Sequence, residues 1–454
     1  MNRFTKDIES GKRMLLPIAA YYLVLLLIAL SWTEKSTLLP PMPQRILFTA
    51  FFALPLLKYR YIAPAVITTF ATIRWFSVSP AGYLPSTPLF YGIIVLLILF
   101  SDIGYKKYAT RRVFSFSKTS IGLIALLVIV ISSNIANMVC QIDFIIFLLT
   151  AMMLRKLVGS REDVQLIELA FMIITFVLSI YSFIFYNDFI IKENVRKMVI
   201  ERSFWTDPNY LGSMLAMGIV ISFYYFMNKV KDQVAFRILY LAVFITGCIT
   251  LGMLASRGAF VAVFVPVLFI LYKKTNSIKN VVFVIILISI AVIAISSTNY
   301  FDSLSARIGQ DDRTGSSRTV IWETSINTFL RSDMPTLLIG GGTNYSYVIV
   351  GKSLGMPIYS PHNNFLGILY DYGILGLIAF LSIFYSWFKK NSHNVLVVSL
   401  IMSFAIVCMT LVPTIDYPFC FLLILFESYG LNPESRAMQR SLRSIPNRTR
   451  WRMS

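Results

Sequence analysis

Three observations predict an all-α polytopic membrane protein. Hydrophobic residues make up 57% of the 454-residue chain and charged residues only 14%, with a mean hydropathy of +0.70. A soluble domain needs far more polar surface than that. The apolar runs are continuous, as in Leu23-Val24-Leu25-Leu26-Leu27-Ile28, whereas barrel strands alternate apolar with polar residues. The runs also recur nearly end to end, and in hydrocarbon only helices or closed barrels satisfy the backbone.

The first run, 15–33, follows Arg3, Lys6, Lys12 and Arg13 and lacks a small-x-small cleavage site, so it reads as a retained span. The spans that follow are 46–57, 61–76, 87–102, 119–138, 140–154, 164–186, 210–228, 236–255, 258–272, 281–297, 364–388, 394–412 and 415–429. Several fall short of the ~20 residues a straight span needs, and 46–57 with 61–76 reads equally as one re-entrant hairpin. The expected count is therefore about 12 to 14 helices. They divide the chain into membrane helices over 1–297, a large extracytoplasmic loop over 298–363, membrane helices over 364–429 and a basic tail over 430–454.

Charge orients this map. With the N-terminus inside, the short loops and tail assigned to the cytoplasm hold 28 of the 41 Lys and Arg, as the positive-inside rule requires. Both termini are thus expected in the cytoplasm. The net charge of +19 is read as this bias and not as a nucleic-acid surface. The tail, with Arg436, Arg440, Arg443, Arg448, Arg450 and Arg452, is expected to lie on anionic lipid. Cys140, Cys248, Cys408 and Cys420 show no ligand spacing and read as small core residues. No metal or other cofactor is expected.

The remaining cations concentrate outside, in 187–209 and 298–363, and the loop also holds His362, one of two histidines in the chain. Ser316-Ser317 can cap a helix running to about Leu330, with Val320, Ile321, Ile326, Phe329 and Leu330 on or near one face. Such a helix would lie in the interface plane. Arg318 falls in its first turn, where backbone N–H groups favour an anion. Arg307 and Arg313 precede it and read either as anion ligands or as lipid-headgroup contacts. Gly340-Gly341-Gly342 permits a tight turn or a close approach to a ligand.

Arg257 sits in the short turn Ala255-Ser256-Arg257-Gly258-Ala259, where a charge beside hydrocarbon faces a cavity or snorkels to headgroups. Arg202 precedes Asp207-Pro208-Asn209, a helix-start signal. An imidazole such as that of His362 can take a proton near neutral pH. Asp371, nine residues later and inside the next span, needs a partner, for which Arg257 and Arg318 are candidates. Asp311-Asp312 is the one outer pair with any claim on a divalent cation.

The segment Pro361-His362-Asn363-Asn364-Phe365-Leu366, followed by Tyr370-Asp371-Tyr372-Gly373-Ile374-Leu375-Gly376-Leu377, resembles the signature of the bacterial O-antigen ligase/polymerase superfamily. Ser256-Arg257-Gly258-Ala259 resembles its Ser-Arg-Gly turn, and Asp207-Pro208-Asn209-Tyr210-Leu211-Gly212 its Pro-Asn helix start. Arg313-Thr314-Gly315 through Trp322 and the glycine turn at 340–342 resemble the loop before the histidine. The resemblance covers roughly residues 195–390.

The resemblance implies a C-type, inverting, metal-independent glycosyltransferase in the bacterial inner membrane. Its donor would be a glycan on undecaprenyl diphosphate. Arg257 and Arg318 would hold the diphosphate, with Arg202 assisting and Arg313 competing with Arg318 for the same role. His362 would orient or deprotonate the acceptor hydroxyl. Arg307, Asn363, Asp371 and Asn209 complete the expected substrate-binding set. Chain-length regulator and flippase membrane proteins are the further partners it implies. The moderate loop and the absence of an appended soluble domain favour an O-antigen or capsule polymerase over a ligase acting on lipid A core. A glycolipid transporter or flippase is the non-catalytic alternative, and the lack of a matching second half counts against it.

Overall fold

A computed structural model describes residues 118–141, 144–145, 148–149, 161–184, 189–192, 196–199, 208–228, 234–254, 256–275, 282 and 318–410. Its elements are α1 (Lys118–Ala136), α2 (Arg161–Ile184), β1 (Phe189–Lys192), β2 (Arg196–Val199), α3 (Pro208–Asn228), α4 (Val234–Leu254) and α5 (Arg257–Thr275). Beyond them lie α6 (Arg318–Leu330), α7 (Met334–Ile339), α8 (Tyr345–Ser353), α9 (Asn364–Asn391) and α10 (Val395–Thr410). Among the described residues four helices are long and apolar enough to cross a membrane: Leu211–Asn228, Phe236–Leu254, Arg257–Thr275 and Asn364–Asn391. Shorter apolar helices cover Ile121–Ala136, Ile167–Ile180 and Val395–Thr410. The expected spans at 15–33, 46–57, 61–76, 87–102, 281–297 and 415–429, and most of 140–154, lie outside the described residues.

The helices alternate in direction, and their pairings fix the register. Glu168 of α2 accepts a hydrogen bond from the Tyr225 hydroxyl of α3, while Thr175 lies against Gly218. Phe223 of α3 meets Phe244 of α4 at 5.0 Å between ring centroids. Ser133 of α1 donates to the Asp371 carbonyl of α9 at 3.0 Å, and Gly122, three turns earlier, faces Ser382. Small residues at these crossings let helices approach where no water is expelled to drive association. The expected up-and-down order therefore holds for these helices. The first residues of α3, α5 and α9 share one end of the bundle with the last residues of α1, α2, α4 and α10.

At the opposite end Lys274 lies 5.4 Å over the Tyr224 ring and Lys389 5.7 Å over Tyr385. These lysines thus lie at the end of the bundle away from Arg257 and His362. His393, the second histidine, is at this end too, in the turn between α9 and α10.

The segment between α2 and α3, read from the sequence only as the cation-bearing outer stretch 187–209, contains an antiparallel hairpin with Phe189 opposite Val199 and Lys192 opposite Arg196. Strand β2 packs against α3 and α4. The membrane body is helical, and the hairpin is an addition at its site-bearing end.

Helix α9 is broken at Gly373, whose backbone lies at φ 69°, ψ −171°. A helix break orphans carbonyls that must find donors elsewhere. Here Gly341 N–H donates to Tyr370 O at 3.1 Å and Gly342 N–H to Asp371 O at 3.0 Å, with Ser133 adding a second donor to Asp371 O. The glycine turn is thus a backbone patch on a broken helix. It makes the close approach foreseen for it, but to α9 and not to a ligand. A Cβ on Gly340 would collide with the Asp371 carbonyl, and one on Gly373 with the Leu338 carbonyl. Both glycines also hold φ values of +79° and +69° that L-residues rarely adopt.

Candidate functional site

Helix α6 ends at Leu330 as expected, but its buried residues are Ile321, Ser325 and Phe329. Val320 and Leu330 are 50% and 61% exposed, so only part of the expected apolar face packs on protein. The polar Ser325 is buried because its hydroxyl meets the Tyr370 hydroxyl of α9 at 2.8 Å. The stripe 321–325–329 joins Ile349 and Val350 of α8 and Tyr370 in one apolar cluster. This cluster carries α6, and with it Arg318 in the first turn, against the start of α9.

The segment leading to His362 is fixed at two points. Tyr359 N–H donates to the Tyr347 carbonyl of α8 at 2.9 Å, and the Trp322 indole of α6 donates to the Pro361 carbonyl at 2.8 Å. Trp322 is one helical turn from Arg318, so that bond puts the first turn of α6 beside the residue preceding His362. His362 itself is half-buried in the left-handed region, at φ 47°. A non-glycine residue there is uncommon and marks a constrained position.

Arg257 reaches the same end by a second route. It is the first residue of α5, half-buried, directly after the buried Ser256. Ser256 donates its hydroxyl to Asn209 Oδ1 of α3 at 3.1 Å. Gly258 lies against Thr410 at the end of α10, where an added Cβ would be 2.7 Å from the hydroxyl oxygen. Half a turn back along α10, Cys408 Sγ accepts the Asn364 amide at 3.6 Å. The contacts 209–256, 258–410 and 408–364 therefore join the starts of α3, α5 and α9 through the last turn of α10. With the start of α6, four helix N-termini lie at the end of the bundle that holds His362, and two of them, those of α5 and α6, begin with an arginine, Arg257 and Arg318. Helix N-termini carry orphan N–H groups and a positive dipole end, so this region suits a multiply charged anion.

Two expected substrate contacts have other partners. Asn363 caps α9, its Oδ1 accepting from Phe365 N at 2.9 Å and Leu366 N at 3.2 Å. Asp371 is 3% exposed. Its carboxylate accepts the backbone N–H of Ser346 at 2.6 Å and of Asn344 at 3.2 Å, at the start of α8. A helix N-terminus, and not the expected Arg257 or Arg318, is its counter-charge. Asn209 stands between these cases, since it orients the turn that presents Arg257. Arg202, Arg307, Arg313 and the Asp311-Asp312 pair lie outside the described residues.

Asn134 of α1 was not singled out by sequence. Its Oδ1 accepts from both the backbone N–H and the hydroxyl of Thr343 at 2.9 Å. Asn137 donates to the Gly340 carbonyl at 3.1 Å. With Asp371 these residues lock the 340–346 turn to α1 and α9. An Asn-x-x-Asn pair ending an apolar span was the available signal. Tyr359, three residues before His362, was not singled out by sequence either, and nothing in its spacing marked it.

Residues 241–381 match a family model described as O-Antigen ligase. The matched stretch runs from α4 into α9 and includes Arg257, Arg318, His362, Asn363 and Asp371. It bears out the resemblance to the O-antigen ligase/polymerase superfamily and supports a glycosyltransferase-like function of that general type. No curated protein matches the chain.

Proposed function

We propose that the protein is a polysaccharide polymerase acting at the outer face of the bacterial cytoplasmic membrane, with both termini in the cytoplasm. It transfers a glycan from undecaprenyl diphosphate to a lipid-linked repeat unit, with inversion and without a metal. One observation carries this reading: Arg257 and Arg318, at the starts of two helices, open at the end of the bundle that presents His362. Arginine's fork matches phosphate oxygens in pairs, and the dipole ends of α5 and α6 add to the field. As the glycosidic C–O bond to the diphosphate breaks, charge grows on the leaving oxygen, and donors already aimed there lower the barrier. The acceptor oxygen attacks the anomeric carbon from the opposite side. Its proton passes to the His362 imidazole, and the lipid diphosphate leaves with the electron pair.

The description of the matching family favours a second reading, ligation of the glycan to lipid A core. Purified protein given only lipid-diphosphate-linked repeat units separates the two. A ladder of lengthening glycans supports the polymerase. Product that forms only when lipid A core is added supports the ligase. No product with either acceptor contradicts both readings and favours transport.

A further inference from the structure

We propose that Tyr359 is a substrate-binding residue that holds the acceptor sugar beside His362, an inference that rests on the reading of the site as a glycosyltransferase centre. Its ring packs on the cluster of Ile321, Phe329, Ile349, Val350 and Tyr370, and its backbone is tied to Tyr347. The left-handed turn at His362 folds the imidazole back onto that ring, with centroids 5.8 Å apart and planes at 78°. The ring is only half-buried, and its hydroxyl makes no hydrogen bond among the described residues.

A rigid aromatic ring with an open hydroxyl next to the imidazole suits one class of ligand. A pyranose presents an apolar C–H face that packs on an aromatic surface, and hydroxyls that both donate and accept, as a phenol does. A diphosphate could accept the phenol's hydrogen bond but has no apolar face to pack on the ring, and the proposed arginine clamp supplies its counter-charge. The sugar held by Tyr359 is therefore the one whose hydroxyl gives its proton to His362.

The test uses the full-length protein with the cell's own lipid-diphosphate-linked repeat unit as donor and, as an acceptor that lacks the leaving group and so cannot donate, the same oligosaccharide freed from its lipid diphosphate, the two varied separately. Tyr359→Phe removes only the hydroxyl and should raise the acceptor KM about three- to tenfold, the span of one neutral hydrogen bond. The donor KM should be unchanged and kcat should hold. Tyr359→Ala should raise the acceptor KM further; if it does not fold, Tyr359→Phe decides alone. An unchanged acceptor KM in Tyr359→Phe, or a rise in the donor KM instead, overturns the inference. Binding of the repeat-unit oligosaccharide, freed from lipid by mild acid, is measured in parallel. Wild-type transfer without tyrosine-dependent binding sinks this inference alone. Tyrosine-dependent binding without any transfer sinks the proposed reaction and keeps the sugar contact.

Discussion

The indole of Trp322 donates to the carbonyl of Pro361 at 2.8 Å, and that bond ties the arginine-bearing turn of α6 to the residue before His362. Its partners are 39 residues apart in sequence, so it forms only when the outer elements fold onto the start of α9. Trp322→Phe keeps an aromatic ring and loses the donor. We predict a fall in transfer rate of about three- to tenfold, from about 1 kcal/mol of lost anchoring. Thermal stability in detergent should change little. An unchanged rate would mean that the tie does not position the site.

The glycine pair at the break of α9 is predicted to be intolerant of any side chain. Alanine at φ +69°, ψ −171°, a region essentially reserved for glycine, costs about 1–3 kcal/mol from backbone sterics alone, and its collision with the Leu338 carbonyl adds to that. Gly373→Ala and Gly340→Ala should each lower stability by about 3 kcal/mol. Because both act on one contact, the double variant should lose less than the sum. Thermal unfolding in detergent gives the comparison, and full additivity would contradict a shared contact.

Much of this arrangement was legible in the sequence. Pro208, the Ser256-Arg257 turn and the His362-Asn363 pair each mark a helix start through local chemistry, and the structure begins α3, α5 and α9 there. The Gly340–Gly342 turn was visible as a turn, but not its partner, because the orphaned carbonyls of Tyr370 and Asp371 exist only once α9 is broken. The same applies to Asp371, whose need for a partner was plain while the amides of Asn344 and Ser346 were not. The hairpin over 189–199 was missed because four-residue strands carry too little pattern beside long apolar runs.

Asp371→Asn is predicted to loosen the outer elements and leave the donor site intact. The amide nitrogen would face a backbone N–H, at a cost of about 1–3 kcal/mol. Hydrogen exchange at Asn344 and Ser346 should accelerate, while donor binding persists. Unchanged exchange with lost donor binding would instead make Asp371 a substrate contact.

Arg257→Lys preserves charge and removes the fork. If α5 presents a diphosphate clamp, a point charge is a poor substitute, and donor affinity should fall about 10- to 100-fold, for about 1.5–3 kcal/mol of charge-assisted hydrogen bonding. Retained donor affinity would assign Arg257 to lipid headgroups.

The most direct test of the account measures donor binding and glycan transfer side by side on wild type and His362→Ala. The account predicts that the variant inserts, folds and binds the lipid-diphosphate donor as the wild type does, yet forms no glycosidic bond. Transfer by His362→Ala at the wild-type rate would contradict it, and so would loss of donor binding with the fold intact.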